Sequence, residues 1–170
     1  RPSVDEFKAL LDFYSVKDRS RHAHIPMTEI IQFAIFSSRR QAEICRILWS
    51  DLDEEKQRVL IRDIKNPNQS LDTWVHVPDL AWAILQRQPK VDERIFPYVS
   101  GSVSGSFTNA TMITGIDNLN FHDLRHECIS WLFERGWGIP RVANVSGHQD
   151  WKSLRRYTQF DQAGDKWEGF

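Results

Sequence analysis

The chain has 170 residues, of which 41% are hydrophobic, and carries 22 Lys and Arg against 23 Asp and Glu, a formal net charge of −1. This length and apolar fraction fit one folded domain with a hydrophobic core, and we expect neither a membrane span nor a secretory leader. The near-neutral charge argues against tight nucleic-acid binding through a strongly basic surface, and favours a domain that contacts phosphates through a few arginines.

The N-terminal third of the chain predicts helices. Residues Val4–Tyr14 place apolar side chains on one helical face, and Met27–Phe36 is apolar enough to form a buried helix. Ser38 followed by Gln41 is a capping-box pattern, so we predict that a further helix covers Arg39–Leu48.

Metal binding has one weak candidate in the loop after the first helix. His22 and His24 lie two residues apart without a third ligand nearby, which leaves a metal site as the less favoured alternative. Cys45 and Cys128 are too few and too far apart for a metal cluster or a disulfide framework. Each lies in an apolar helical pattern, so we predict buried free thiols and a reducing compartment, the cytoplasm.

The middle of the chain predicts a small sheet. Arg58–Asp63 and Thr73–Val77 alternate and are rich in β-branched or aromatic residues, which indicates two antiparallel strands. The turn between them contains Lys65, and a helix is predicted over Leu80–Gln88. The predicted fold class is therefore α+β, mostly helical, with a small antiparallel sheet of two to three strands.

The second half begins with a serine- and glycine-rich stretch. Ser100–Gly105 has the composition of a flexible segment, and a helix is expected between it and Asn120. Three further helices are predicted: one from Phe121 to the stop at Gly136, one over Pro140–Ser146 and one over Lys152–Thr158.

Residues 121–160 concentrate groups that bind phosphate or act as nucleophiles. His122 and Arg125 lie three residues apart. His148 follows a glycine at a helix-ending turn, and Tyr157 lies nine residues beyond it. Cleaving a phosphodiester without a metal requires cations on the non-bridging oxygens, a general acid for the leaving oxygen and a nucleophile. The arginine fork suits the first task, and a tyrosine ester conserves the bond energy needed for rejoining.

These residues resemble the catalytic domain of the tyrosine recombinase (phage integrase) family over roughly residues 20–160. Upstream, Arg40 and Glu43 form an Arg-x-x-Glu pattern at the start of an apolar helix, as in that family. The resemblance assigns a role to each of six residues. Arg40 and Arg125 would clamp the scissile phosphate, and Lys65 would protonate the leaving 5′ oxygen. His122 would assist proton transfer at the nucleophile, and His148 would form a hydrogen bond with a phosphate oxygen. Tyr157 would be the nucleophile.

Each residue alone has a plainer explanation. His122 could cap its helix, Lys65 could be a solvated turn lysine, and Arg40 could only pair with Glu43. The conjunction of six suitable residues in the family's order carries the resemblance. Arg62 remains an alternative to Lys65.

The sequence also departs from the family pattern. Ser37 and Ser38 stand where the family often has Thr-Gly. Arg39 competes with Arg40 for the role of first arginine, and the spacing to Glu43 favours Arg40.

The resemblance implies a site-specific recombinase that integrates or excises a mobile element or prophage. It further implies that the reaction needs no metal or cofactor and that the partner is double-stranded DNA. The protein is expected to be a monomer in free solution and a homotetramer on DNA, with possible accessory bending or directionality proteins. We expect residues 1–170 to form one catalytic domain that lacks the family's N-terminal DNA-binding domain. The alternatives are a type IB topoisomerase-like enzyme and a catalytically silent DNA-binding module of the same fold.

Exposed aromatic residues are further candidates for contacts. Most of the seven tryptophans occupy apolar positions and predict core, whereas Trp137 and Trp151 flank the His148 turn and could stack on bases. The tail 161–170 is polar apart from Trp167 and Phe170, which we expect to anchor on a neighbouring protomer.

Overall fold

The computed structural model describes residues 1–18, 25–62, 72–158 and 165–169. The α-helices in these ranges are α1 Val4–Asp18, α2 Met27–Ser37, α3 Gln41–Ile44, α4 Asp79–Gln86, α5 Ser100–Thr114, α6 Phe121–Glu134 and α7 Ile139–Ser146. The strands are β1 Leu52–Asp53, β2 Arg58–Ile61 and β3 Thr73–His76. Two short 3-10 helices cover Trp49–Asp51 and Trp151–Tyr157.

Helix α2 lies at the centre of the hydrophobic core because it is apolar on most of its surface. Eight of its eleven residues are buried, and it packs against α1, α4, α5 and α6. The Phe36 ring of α2 meets the Trp131 ring of α6 edge to face, with centroids 5.8 Å apart. The predicted buried helix is confirmed, and it supports the helix that carries His122 and Arg125.

The three strands form one antiparallel sheet in the order β1-β2-β3. Val59 of β2 pairs with Leu52 of β1 on one side and with Val75 of β3 on the other. Helix α7 packs against β3. The mostly helical α+β class with a small antiparallel sheet is therefore confirmed.

The serine- and glycine-rich stretch is helical. Ser100–Gly105 forms the first turns of α5, so the prediction of a flexible segment there was wrong. Val103, Phe107 and Ala110 recur at helical spacing and are buried. Tertiary packing of this stripe outweighs the low helix propensity of serine and glycine.

The helix predicted over Arg39–Leu48 is much shorter. Ser38 adopts a left-handed conformation, with φ 59° and ψ 23°, and its N–H donates to the Ala34 carbonyl. Ser38 therefore ends α2 and does not cap the next helix. The chain leaves the helical path after Ile44, and Ile47 and Leu48 pair with the segment that contains Arg94 and Ile95.

Both thiols are unbridged and buried, as predicted. Burial raises the pKa of Cys45 to about 11 and that of Cys128 to about 12. His22 and His24 lie outside the described residues, so the alternative of a metal site there stays open. Across the described ranges, no helix has the length and apolar character needed to cross a membrane.

Candidate active site

Arg125 lies where α6 meets the ends of two other helices. The residue is 3% exposed. Its Nη1 donates to the carbonyl of Ser38, just after α2, and its Nη2 donates to the carbonyl of Ser146, the last residue of α7, over 2.9 Å. Carbonyls at helix C-termini lack intrahelical partners and carry partial negative charge, which suits a guanidinium. Backbone groups therefore fix the position of this arginine.

Arg39 and Arg40 have different environments. Arg39 is 3% exposed, donates to the Val145 carbonyl over 2.6 Å and lies 3.3 Å from a Glu43 carboxylate oxygen. The Arg40 side chain is 46% exposed, and its Nη1 donates to the other Glu43 oxygen over 2.7 Å. Arg39 is thus part of the interior, whereas Arg40 reaches the surface where a ligand can approach. This distinction favours Arg40 as the first arginine of the site and gives Glu43 its buttressing contact.

His148 joins these arginines through the turn after α7. Gly147 makes the turn at φ +73°, and a Cβ there would lie 3.3 Å from Val75 Cγ1, so both conformation and space favour glycine. His148 Nδ1 lies 2.8 Å from Ser146 Oγ and 3.5 Å from Arg125 Nη2. Because an arginine can only donate, Nδ1 is the accepting nitrogen and the ring proton lies on Nε2.

The lowered pKa of His148 indicates a neutral ring. Burial, and then the charges of Arg125, Arg40 and Arg39, lower the pKa to about 4. The imidazole is therefore neutral at pH 7, and its Nε2–H is a donor for a ligand oxygen.

The arginine cluster, defined as Arg39, Arg40, Glu43, Arg125 and His148, has an excess of positive charge. Burial, and then Arg39 and Arg40, lower the pKa of Arg125 to about 9, which still leaves it charged at pH 7. Burial acts to raise the pKa of Glu43, but Arg39 and the other contacts lower it overall. Three guanidiniums thus share one carboxylate within this cluster, and a bound anion would relieve their repulsion.

Tyr157 ends the second 3-10 helix, which packs against α6 and α7. The residue is 7% exposed. Its hydroxyl contacts Nδ1 of His126 and receives a hydrogen bond from Arg156 Nη2 over 2.8 Å. His126 directly follows Arg125, so its side chain leaves α6 about 100° away from that arginine. The contacts of the Tyr157 hydroxyl therefore lie beside the cluster.

His122 lies one turn before His126 on the same face of α6. The two ring centroids are 4.8 Å apart in an edge-to-face arrangement. The His122 residue is exposed, and its backbone N–H donates to the side chain of Asn120, which caps the helix. The structure thus gathers the predicted residues in two neighbouring groups: Arg40, Glu43, Arg125 and His148 in one, and His122 and Tyr157 in the other.

Lys65 lies outside the described residues, so its role remains a prediction. The alternative, Arg62, is engaged elsewhere. Its Nη2 contacts a carboxylate oxygen of Asp51, and its Nη1 lies 3.8 Å from Asp72. Hydrogen bonding to Asp51 is the main cause that raises the pKa of Arg62. These contacts give Arg62 a structural role, and the assignment of the general acid to Lys65 stays a prediction.

The tryptophans predicted to make contacts differ in their exposure. Trp151 is 51% exposed, as expected for a residue that could stack on a base. The Arg141 guanidinium covers a face of Trp137, 3.4 Å from the ring centroid. Trp167 is buried in its own chain, with its ring edge-on to Phe7 at 4.8 Å, which removes it as an exposed anchor for a neighbour. Phe170 lies outside the described residues.

Two residues beside the predicted nucleophile were not singled out from the sequence. His126 contacts the Tyr157 hydroxyl, and Arg156 donates to it. A signal for His126 was present, because it lies four residues after His122 and therefore shares a face of the predicted helix. Arg156 belongs to the basic pair directly before Tyr157, but its contact with the hydroxyl depends on the path of the 3-10 helix.

Comparisons with known proteins give matches over most of the chain. The model of the phage integrase family matches residues 3–163. The shufflon-specific DNA recombinase of Escherichia coli is 31% identical over 140 residues, which cover 81% of this chain and 36% of that protein. The integrase of Salmonella phage P22 is 24% identical over 153 residues, which cover 78% of this chain and 38% of that protein. The chain thus spans less than two-fifths of the length of these two relatives.

Solved structures show the same fold. A XerA recombinase structure superimposes with a TM-score of 0.69 at 19% identity, covering 94% of this chain and 60% of that one. A lambda integrase dimer bound to a COC′ core site gives a TM-score of 0.69 at 17% identity, covering 100% of this chain and 50% of that one.

Proposed function

The chain belongs to the phage integrase family, and from this premise we propose that it is the catalytic part of a site-specific DNA recombinase. It cuts and rejoins double-stranded DNA through a 3′-phosphotyrosyl intermediate. The observation that carries the proposal is the arginine cluster, an electropositive group of side chains held by the ends of α2 and α7 beside a tyrosine on the adjacent 3-10 helix.

In this proposal the cluster binds the scissile phosphate. The exposed Arg40 side chain binds the phosphate at the surface. The buried Arg125 binds the same phosphate through its charge and its remaining N–H groups. His148 donates its Nε2–H to a non-bridging oxygen, which requires the neutral imidazole that its lowered pKa provides. These donors stabilise the extra negative charge of the pentacovalent transition state, which is the largest task in phosphoryl transfer.

Tyr157 is the best candidate nucleophile among the three tyrosines of the chain. Tyr14 is fully buried, and its hydroxyl donates to the Ser106 carbonyl between α1 and α5. Tyr98 lines a cavity of about 410 Å³ together with Glu29 and Arg87, away from α6. Tyr157 alone of the three ends an element that packs on both α6 and α7. Its attack on phosphorus would release a 5′ hydroxyl, protonated in this proposal by Lys65.

The biological setting follows as part of the proposal. We place the protein in the cytoplasm of a bacterial host, where it integrates or excises a mobile element or prophage. It acts as a homotetramer on two attachment sites, with residues 1–170 as the catalytic domain of a longer chain. The relatives' names, an integrase of a phage and a shufflon-specific recombinase, support this setting.

A nicked duplex that carries the element's own recombination site tests the proposal. After cleavage, the short fragment that carries the new 5′ hydroxyl diffuses away at the nick. Rejoining is then prevented, and the covalent intermediate accumulates. We expect the full-length protein to form a DNA adduct joined to the 3′ side of the break, and Tyr157→Phe to bind the duplex with unchanged affinity but form no adduct.

Two other outcomes would contradict the proposal. Binding of the duplex without any adduct from the unsubstituted full-length protein would favour a silent DNA-binding module. Relaxation of supercoiled plasmids that lack the recombination site would instead favour a type IB topoisomerase-like enzyme.

A further inference from the structure

The Tyr157 hydroxyl lies between a proton acceptor and a cation. His126 Nδ1 contacts the hydroxyl, and the two rings are nearly parallel, with an interplanar angle of 24°. On the other side Arg156 Nη2 donates to the same oxygen over 2.8 Å, and its guanidinium carbon lies 4.8 Å from the centroid of the Tyr157 ring. The nucleophile of the proposed reaction is thus fully engaged before any DNA is bound.

The direction of the proton follows from this pair of contacts. An arginine has donors and no acceptor, so the Arg156 contact occupies a lone pair of the phenol oxygen. The arrangement in which the hydroxyl accepts one hydrogen bond and donates the other points the phenol hydrogen to His126 Nδ1. That nitrogen is then unprotonated, and the imidazole proton lies on Nε2.

Other groups around His126 keep it neutral. Burial, then the neighbouring His122 and Arg156, lower its pKa, while Asp123 acts in the opposite direction and Arg125 in the same one. Arg1 also lines the groove of about 340 Å³ that His126, Ser130 and Tyr157 border. Above its lowered pKa, His126 therefore offers a lone pair to the phenol.

We infer that His126 is the general base that accepts the Tyr157 proton during strand cleavage, and that Arg156 stabilises the resulting phenolate. This inference rests on the proposed function. It differs from the family resemblance, which assigns proton transfer at the nucleophile to His122. The geometry assigns it to the histidine that touches the phenol.

Strand cleavage moves two protons in the inferred mechanism. The phenol O–H bond breaks and its proton moves to His126 Nδ1, while the oxygen electron pair forms a bond to phosphorus. The bond between phosphorus and the 5′ oxygen breaks, and the leaving oxygen takes a proton from the general acid, Lys65 in the proposed mechanism. In rejoining, the 5′ hydroxyl gives its proton back to Lys65 as its oxygen attacks phosphorus. The bond between phosphorus and the Tyr157 oxygen breaks, and the phenolate recovers its proton from the His126 imidazolium.

The test is the pH dependence of adduct formation by the full-length protein on the nicked duplex. His126→Gln keeps an oxygen that accepts the phenol hydrogen bond but cannot hold a proton. We expect its cleavage rate at neutral pH to fall about 10²-fold. The wild-type rate should rise with pH through the His126 pKa, which burial and the neighbouring charges hold below the ordinary histidine value, and His126→Gln should lose this rise. His76→Gln, on β3, should retain the wild-type profile.

A wild-type rate and an unchanged pH profile in His126→Gln would overturn the inference, because the residue would then only position the tyrosine. The proposed function would survive that result, since the adduct and its loss in Tyr157→Phe would remain. Absence of the adduct from the unsubstituted protein would overturn both.

A second measurement does not depend on a variant's activity. In the ¹⁵N NMR spectrum of the full-length protein labelled at histidine, we expect His126 to be the Nε2–H tautomer at neutral pH. Its signal is identified by its loss in His126→Gln. An Nδ1–H tautomer would overturn the inference, because that nitrogen could not then accept the phenol proton.

Discussion

The arginine cluster and Tyr157, the proposed nucleophile, are held by different kinds of contact. Arg125 is fixed by two backbone carbonyls at the ends of α2 and α7, so its position changes only if those helices move. The Tyr157 hydroxyl is held by the side chains of His126 and Arg156, which can exchange partners without disturbing the core. In the proposed reaction the arginine cluster must hold the phosphate in place, which suits its backbone contacts. Tyr157 must move to the DNA and later return, which suits contacts made only by side chains.

The largest expected effect comes from a substitution at Arg125, the residue of the arginine cluster that backbone carbonyls hold in place. Arg125→Lys keeps the charge but loses the fork, so one ammonium cannot serve the Ser38 and Ser146 carbonyls and a phosphate oxygen together. We expect the cleavage rate to fall about 10²- to 10³-fold, the cost of a lost transition-state donor. Single-turnover cleavage measures it, with the exposed Arg46→Lys as the matched control. Equal rates for the two variants would show that Arg125 does not act on the phosphate.

The next effect concerns the charge balance of the cluster. Glu43→Gln preserves shape but removes the carboxylate that compensates Arg39 and Arg40. We expect the free energy of unfolding to decrease by about 3 kcal/mol, because a buried guanidinium is left without its counter-charge. Urea denaturation measures the change.

Sulfate provides a sharper form of this experiment. An anion in the cluster would replace part of the missing negative charge, so sulfate should stabilise Glu43→Gln more than the wild type. Equal stabilisation of both proteins would contradict an anion site in the cluster.

The third effect is a pH dependence from His148. Its folded-state pKa of about 4 lies below the ordinary value of 6.5. Between these values the unfolded chain binds a proton that the folded chain does not, so stability decreases as pH falls from 6.5 towards 4. Unfolding by urea at a series of pH values should show a smaller decrease for His148→Gln. The same decrease in both proteins would show that His148 is not held neutral.

The smallest effect tests the backbone turn that supplies a carbonyl to Arg125. Ser38 has φ 59°, a conformation in which a Cβ costs about 1 kcal/mol or more. Ser38→Gly should therefore stabilise the fold by about 1 kcal/mol. The same substitution at the exposed, helical Ser104 should destabilise it by about 0.5 to 1 kcal/mol. Stabilisation at both positions, or at neither, would contradict the strain at Ser38.

Secondary structure was predicted best where the local pattern of apolar side chains determines the element. The buried helix α2, the strand pair and the helix carrying His122 and Arg125 follow from apolar periodicity, and they are confirmed. The spacing from Arg40 to Glu43 selected the more exposed of two adjacent arginines.

Prediction failed where distant contacts outweigh local preference. The serine- and glycine-rich start of α5 is helical because Val103 and Phe107 pack into the core. The left-handed turn at Ser38 ends α2 at a point where its carbonyl accepts a hydrogen bond from Arg125 of α6, 87 positions away. The contact between His126 and Tyr157 joins residues 31 positions apart, so no local pattern could reveal it.

The identity of the residue that bonds to DNA tests the account most directly. The adduct formed by the full-length protein on the nicked duplex is digested with trypsin and nuclease, and the modified peptide is sequenced by mass spectrometry. We predict a nucleotide 3′-phosphate on Tyr157. Attachment at Tyr98, at a serine or at any other residue would contradict it.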